Sequence, residues 1–131
     1  MKKIGVLNQG ISEVIAGMGH KDQLVIGDCG LPIPQGIRRI DIALTPGIPG
    51  FLETLCVILQ ELEVESVVIA NEMETVSPKM YEGVKELLGA VPIHRCSHEE
   101  FKEMNQKAVA VIRTGECTPY ANIILNSGVN F

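Results

Sequence analysis

No stretch of this chain stays apolar for the ~18 residues that a membrane helix needs; each run is broken well short of that. Positive charge is also scarce. With 11 Lys and Arg against 16 Asp and Glu, the formal charge is −5, whereas a nucleic-acid partner demands a basic face. The cysteines, Cys29, Cys56, Cys96 and Cys117, show no CxxC spacing, so a cytoplasmic protein with free thiols is the simplest reading. In the sequence nothing beside Cys29 or Cys117 supplies the electropositive setting of a reactive thiol. Neither GxGxxG nor a P-loop is present, and Gly17-Met18-Gly19 ends a helix instead of opening one, so no nucleotide cradle is signalled. A serine nucleophile elbow is missing too. The apolar stretch after Met1-Lys2-Lys3 stops at Asn8, too short for a secretory signal.

What is there is a chain of 131 residues, 46% of them hydrophobic. That length fits one domain over 1–131, able to bury roughly two thirds of its unfolded surface. The surplus of apolar surface points to a subunit interface, and hence to a homo-oligomer.

Apolar spacing at Ile11, Val14, Ile15 and Met18 predicts a helix that Gly19 stops as a left-handed cap. Leu24 to Ile26 reads as a short buried strand with Asp28 just past its carboxyl end, and Ile40 to Leu44 as a second strand. Between them Leu31-Pro32-Ile33-Pro34 must be a stiff extended loop, because two prolines remove donors and fix φ. Thr45 to Gly50 is turn-rich, Phe51 to Leu62 a helix, Val64 to Ala70 a β-branched strand, and Pro78 to Leu88 a helix with Pro in its first turn. Pro92 to Cys96 reads as a strand. Ser97-His98-Glu99-Glu100 is a capping box that opens a helix to about Met104. Val109 to Ile112 and Ile123 to Leu125 are the last strands. Strands alternating with helices make this an α/β protein: a three-layer α/β/α domain with a largely parallel central sheet.

The densest chemistry lies between the last two strands, in Arg113-Thr114-Gly115-Glu116-Cys117-Thr118-Pro119-Tyr120-Ala121-Asn122. Its Arg, Thr, Glu, Tyr and Asn all pair with hydroxyls, and Gly and Pro fix the path. Such a loop suits a small polar ligand; the bland alternative is a hairpin corner with satisfied polar groups. His20 follows the first helix, with Asp22 two residues on to orient it, and imidazole titrates near working pH. That makes it a general acid or base, or else an exposed loop histidine. Asp28 stands where open α/β sheets hold ligands, unless it only starts an Asx turn. His98 lies at a helix N-terminus, as a hydrogen-bonding group or a solvated first-turn residue. His94, Cys96 and His98 would share a strand face and mimic a metal triad, but the cap at Ser97 breaks that strand and no fourth ligand is evident.

Taken together, Gly19-His20-x-Asp22, Asp28-x-Gly30-Leu31-Pro32-Ile33-Pro34 and Arg113-Thr114-Gly115-Glu116-x-Thr118-Pro119-Tyr120-Ala121-Asn122 resemble the D-ribose pyranase family. The resemblance runs from Met1-Lys2-Lys3 and Val6-Leu7-Asn8 to Gly128-Val129-x-Phe131. The related fucose mutarotases share the Gly-His-x-Asp and Thr-Gly-Glu elements and tend to lack the Leu-Pro-x-Pro loop and the Thr-Pro-Tyr-Ala-Asn ending. Both are intact here, as in the ribose branch. Cys29 stands where Ala is usual, Lys21 where Thr is usual and Gln9 where Ser is common.

The resemblance implies a cofactor-free mutarotase that interconverts the β-pyranose and β-furanose forms of D-ribose, in a cytoplasmic route from ribose transport to a kinase. It implies no metal, and rings of subunits, decamers of two stacked pentamers, with sites at subunit boundaries. It assigns His20 as the catalytic acid. Asp28, His98, Tyr120, Ala121 and Asn122 bind sugar hydroxyls, and Asp28 or His98 serves as the base. Glu116 and Arg113 are expected behind them or at an interface. The rival readings are a sugar-binding module without chemistry, a fucose-type mutarotase, and a structural ring protein.

Overall fold

The computed structural model describes all residues, Met1–Phe131. In chain order the elements are α1 (Gln9–Gly17), β1 (Gln23–Gly27), β2 (Arg39–Asp41), α2 (Phe51–Leu59), β3 (Val64–Ala70), α3 (Asn71–Val76), α4 (Pro78–Leu88), β4 (Ile93–Cys96), α5 (His98–Met104), a 3₁₀ turn (Asn105–Lys107), β5 (Ala110–Arg113) and β6 (Ile123–Ser127). The strands form one six-stranded sheet in the order β2-β5-β1-β6-β3-β4. All pairings are parallel except the two made by β6, which runs against both β1 and β3. The sheet is therefore mostly parallel, as the alternation of elements implied.

The apolar runs in the strands follow from burial on both faces. Leu24 and Ile26 of β1, Val67 and Ile69 of β3, and Ile123 and Leu125 of β6 point into a large core shared with α1, α2, α3 and α4. The alternate residues Val25, Val68, Val111 and Ile124 enter a smaller core covered by Phe101 of α5, Leu31 and Ala108. Helices on one face, and α5 with the Leu31 loop on the other, make the three layers. Truncating a fully buried residue such as Leu125 costs about 2–5 kcal/mol in such a setting.

Several boundaries differ from the sequence reading. Gly19 is not a left-handed cap. The first helix ends at Gly17, Met18 turns extended at φ −72° and ψ 133°, and the left-handed residue is Lys21 at φ 71°. The reversal is held by Lys21 N–H donating to the Ser127 carbonyl at 2.8 Å and by Gly19 N–H donating to the Asp22 carboxylate at 2.8 Å. The strand read through Leu44 stops at Asp41, because its partner β5 ends at Arg113 and Leu44 N–H turns back to the Ile48 carbonyl. The second helix ends at Leu59, while Leu62 stays buried below it. α3, which starts directly off β3 with no side-chain cap, carried no start signal. The last two strands are not a hairpin, since β1 lies between them.

Candidate functional site

That last difference builds the site. The segment from Thr114 to Asn122 must cross over the carboxyl end of β1 to get from β5 to β6. Buried Thr114 anchors the crossing: its backbone N–H and its hydroxyl both donate to the Gly27 carbonyl, at 3.0 and 2.8 Å. Cys29 N–H then donates to the Glu116 carbonyl at 2.8 Å. At the far side, fully buried Asn122 accepts from Asp28 N–H at 2.8 Å and donates through Nδ2 to Asp28 Oδ2 at 2.9 Å. Gly30 N–H donates to the other carboxylate oxygen at 2.9 Å. Asp28 is thus an Asx turn and a fixed carboxylate at a strand end at once.

Glu116 and Arg113 brace this crossing. Glu116 Oε1 accepts from Phe51 N–H at the start of α2 (3.2 Å), and Oε2 accepts from the Thr118 hydroxyl (3.0 Å). Arg113 donates from Nε to the Cys29 carbonyl (3.0 Å) and pairs with Asp41 (3.1 Å). Ser77, buried at the α3–α4 junction, donates its hydroxyl to the Pro119 carbonyl at 2.7 Å. Tyr120 follows in the left-handed region at φ 62°, and Asn122 N–H closes the turn on the Tyr120 carbonyl at 2.9 Å.

His98 arrives from the other edge. Ser97 caps α5, accepting from Glu100 N–H at 3.2 Å while Glu100 accepts from Ser97 N–H at 3.0 Å. Because β4 ends at Cys96, the strand alternation that would align His94, Cys96 and His98 does not reach His98. Its backbone N–H donates to both oxygens of Glu72, at 3.2 and 3.1 Å. The His98 ring meets Tyr120 edge-on, centroids 5.0 Å apart and planes at 82°. Its Nδ1 is buried without a protein partner. Burial pushes the nearby Cys96 thiol up, and the carboxylates of Glu100 and Glu72 add to that.

Asp28, His98, Tyr120, Ala121 and Asn122 therefore converge at the carboxyl ends of β1, β3 and β4, the ligand side of an open α/β sheet. His20 does not join them. It precedes β1, next to the Ser127 end of β6, whereas Asn122 lies at the start of that strand. The five residues of β1 span about 16 Å at ~3.3 Å each, so His20 stands at the opposite rim. Asp22 does not orient it either. Nε2 of His20 lies 2.8 Å from Glu65 Oε2, both side chains about half exposed. The largest cavity, about 580 Å³, opens at this rim, lined by His20, Glu63, Ser127 and Phe131 among others. It is the wider space, but the convergent, fixed hydrogen-bonding groups are at the Asp28 rim.

Sequence reasoning missed Glu65, Glu72 and Ser77. Glu72 had a readable signal, a carboxylate two residues past the end of a buried strand, close to the placement that singled out Asp28. Glu65 and Ser77 act through tertiary pairing and carried none.

Comparisons with known proteins agree with this fold. The model of the RbsD / FucU transport protein family matches residues 1–130. A D-ribose pyranase from Symbiobacterium thermophilum is 60% identical over 131 residues, covering 100% of both chains. The structure of Bacillus subtilis RbsD complexed with D-ribose superposes with a TM-score of 0.98 at 45% identity, over 100% of both chains. The fucose mutarotase in complex with L-fucose from Streptococcus pneumoniae gives a TM-score of 0.75 at 25% identity, again over 100% of both.

Proposed function

Because this chain belongs to the RbsD / FucU transport protein family, we propose that it is a D-ribose pyranase, an isomerase that interconverts the pyranose and furanose rings of D-ribose. The observation that carries this is the crossing of Thr114–Asn122 over β1. It fixes Asp28 to Asn122 and brings Tyr120 against His98, in a chain 60% identical to a D-ribose pyranase.

Opening a hemiacetal ring takes two proton transfers. One group removes the anomeric hydroxyl proton while another protonates the ring oxygen. The open aldehyde rotates, and a different hydroxyl closes the new ring. Each such group contributes ~10²–10⁴-fold. In this reading His20 is the acid. Asp28 and His98 bind hydroxyls and one of them is the base, while Tyr120, Ala121 and Asn122 hold the rest of the sugar. The unpaired His98 Nδ1 is the kind of group a ligand hydroxyl satisfies.

The two rims then have to meet on different subunits. His20 of one subunit completes the Asp28 pocket of its neighbour in a ring. Exposed Ile4, Leu7 and Leu44, at 81, 73 and 80%, supply apolar surface for such contacts. For the ring we adopt the stoichiometry that the family resemblance implies, a decamer of two stacked pentamers. No helix is long and apolar enough to cross a membrane, and we place the enzyme in the cytoplasm, between ribose transport and the kinase of ribose catabolism.

Saturation-transfer NMR on D-ribose tests the reading. Faster exchange between pyranose and furanose signals is expected, with L-fucose exchange little changed. Binding without acceleration would make the protein a sugar-binding module. Acceleration of L-fucose alone would move it to the fucose branch.

A further inference from the structure

We infer that Cys29 and Cys117 form a dithiol site which a hydroperoxide closes reversibly into an intrachain disulfide. Their sulfurs lie 3.6 Å apart although the residues are 88 positions apart. Cys29 N–H bonds to the Glu116 carbonyl, so the two backbones already run side by side. A disulfide needs about 2 Å between sulfurs, so the pair has only the remainder of that 3.6 Å gap to close.

The accessibilities fit an attacking and a resolving thiol. Cys117 is exposed and Cys29 half-buried. The hydrogen bond to Cys117 pushes the Cys29 thiol up, burial, the Cys117 sulfur and the Asp28 carboxylate add to it, and the Arg113 guanidinium opposes only in part, which suits Cys29 to the resolving place. Arg113, four residues before Cys117 in sequence, reaches Cys29 across the fold and lines, with both cysteines, a cavity of about 190 Å³. The other two cysteines have no sulfur partner; Cys56 neighbours Gln60, and Cys96 the Ile69 carbonyl.

The chemistry runs in two steps. The Cys117 sulfur attacks hydrogen peroxide, the O–O bond breaks, and a sulfenic acid and water result. The Cys29 sulfur then attacks the sulfenyl sulfur; the S–S bond forms, the S–O bond breaks, and the second water leaves. Two thiols lose two electrons and two protons, and the peroxide takes them up. The bond ties the Asp28 turn to the Thr114–Asn122 crossing.

The test uses the full chain, reduced, freed of reductant and treated with graded hydrogen peroxide. Maleimide labelling under denaturing conditions counts thiols, and non-reducing peptide mapping locates any link. Free thiols are expected to fall from four to two per chain, with one linked pair, Cys29–Cys117, and to return to four with dithiothreitol. Cys117→Ser should form no intrachain link at the same dose. Retention of all four thiols, a link through Cys56 or Cys96, or Cys117 passing to the sulfinic acid with Cys29 still reduced would each overturn the inference. Thiol counting does not depend on ring exchange, so this result and the functional reading stand or fall separately.

Discussion

Asp28 and Asn122, 94 residues apart in sequence, hold each other by two hydrogen bonds in opposite directions: Asp28 N–H to Asn122 Oδ1 at 2.8 Å, and Asn122 Nδ2 to Asp28 Oδ2 at 2.9 Å. The Asn122 carboxamide is fully buried, so neither bond is easily replaced by water. Asn122→Ala should destabilise the fold by about 1–3 kcal/mol and remove measurable ribose binding. Urea unfolding and ribose titration by NMR check the two effects. Unchanged ribose affinity would detach this lock from the sugar site.

His20 sits in a different environment. Its side chain is 46% exposed and meets only the similarly exposed Glu65, a pair worth at most ~1 kcal/mol. His20→Ala should therefore leave thermal stability and assembly nearly unchanged while ring exchange falls ~10²–10⁴-fold. Loss of both together would assign His20 to structure.

Tyr120→Phe keeps the edge contact with His98 and removes only the hydroxyl. If that hydroxyl holds sugar, ribose affinity drops by about 1 kcal/mol, roughly fivefold. Circular dichroism and the urea midpoint should not move. An unaltered dissociation constant in this variant would leave Tyr120 a packing residue alone.

Gly115 is where the crossing touches the Thr45–Ile48 turn. Gly47 N–H donates to its carbonyl at 2.6 Å, and its own N–H donates to the Pro49 carbonyl at 2.9 Å. A Cβ there would collide with the Ile48 backbone, which cannot swing aside as a side-chain end would. Gly115→Ala should cost about 1–3 kcal/mol and lower ribose affinity by displacing the loop. Wild-type stability in that variant would mean the turn yields freely.

What was legible in the sequence is what local chemistry dictates. Val64 to Ala70 and Pro78 to Leu88 coincide with their elements, because β-branched density and an N-terminal proline are local signals. Ser97 and Glu100 form the capping box their spacing announces. Asp28 could be put at a strand end from its neighbours alone. Pairing is non-local, and there the reading failed. Nothing in Val109 to Leu125 says that β1 inserts between the last two strands, so the crossing looked like a hairpin corner. For the same reason Gly19-His20 and Asp28 look close along the chain, although a whole strand separates their rims. Asp22 is the carboxylate nearest His20 in sequence; the one its ring meets is Glu65, from β3.

Whether the two rims meet across a subunit boundary is best measured by complementation. His20→Ala and Asp28→Asn chains, each expected to be nearly inactive alone, are co-expressed so that the proposed rings are mixed, and ribose ring exchange is followed by saturation-transfer NMR. Boundaries that place an intact His20 against an intact Asp28 pocket should form at about a quarter of positions by random assembly, and exchange should return to about that fraction of wild type. Mixed assemblies as inactive as either parent would contradict a shared site.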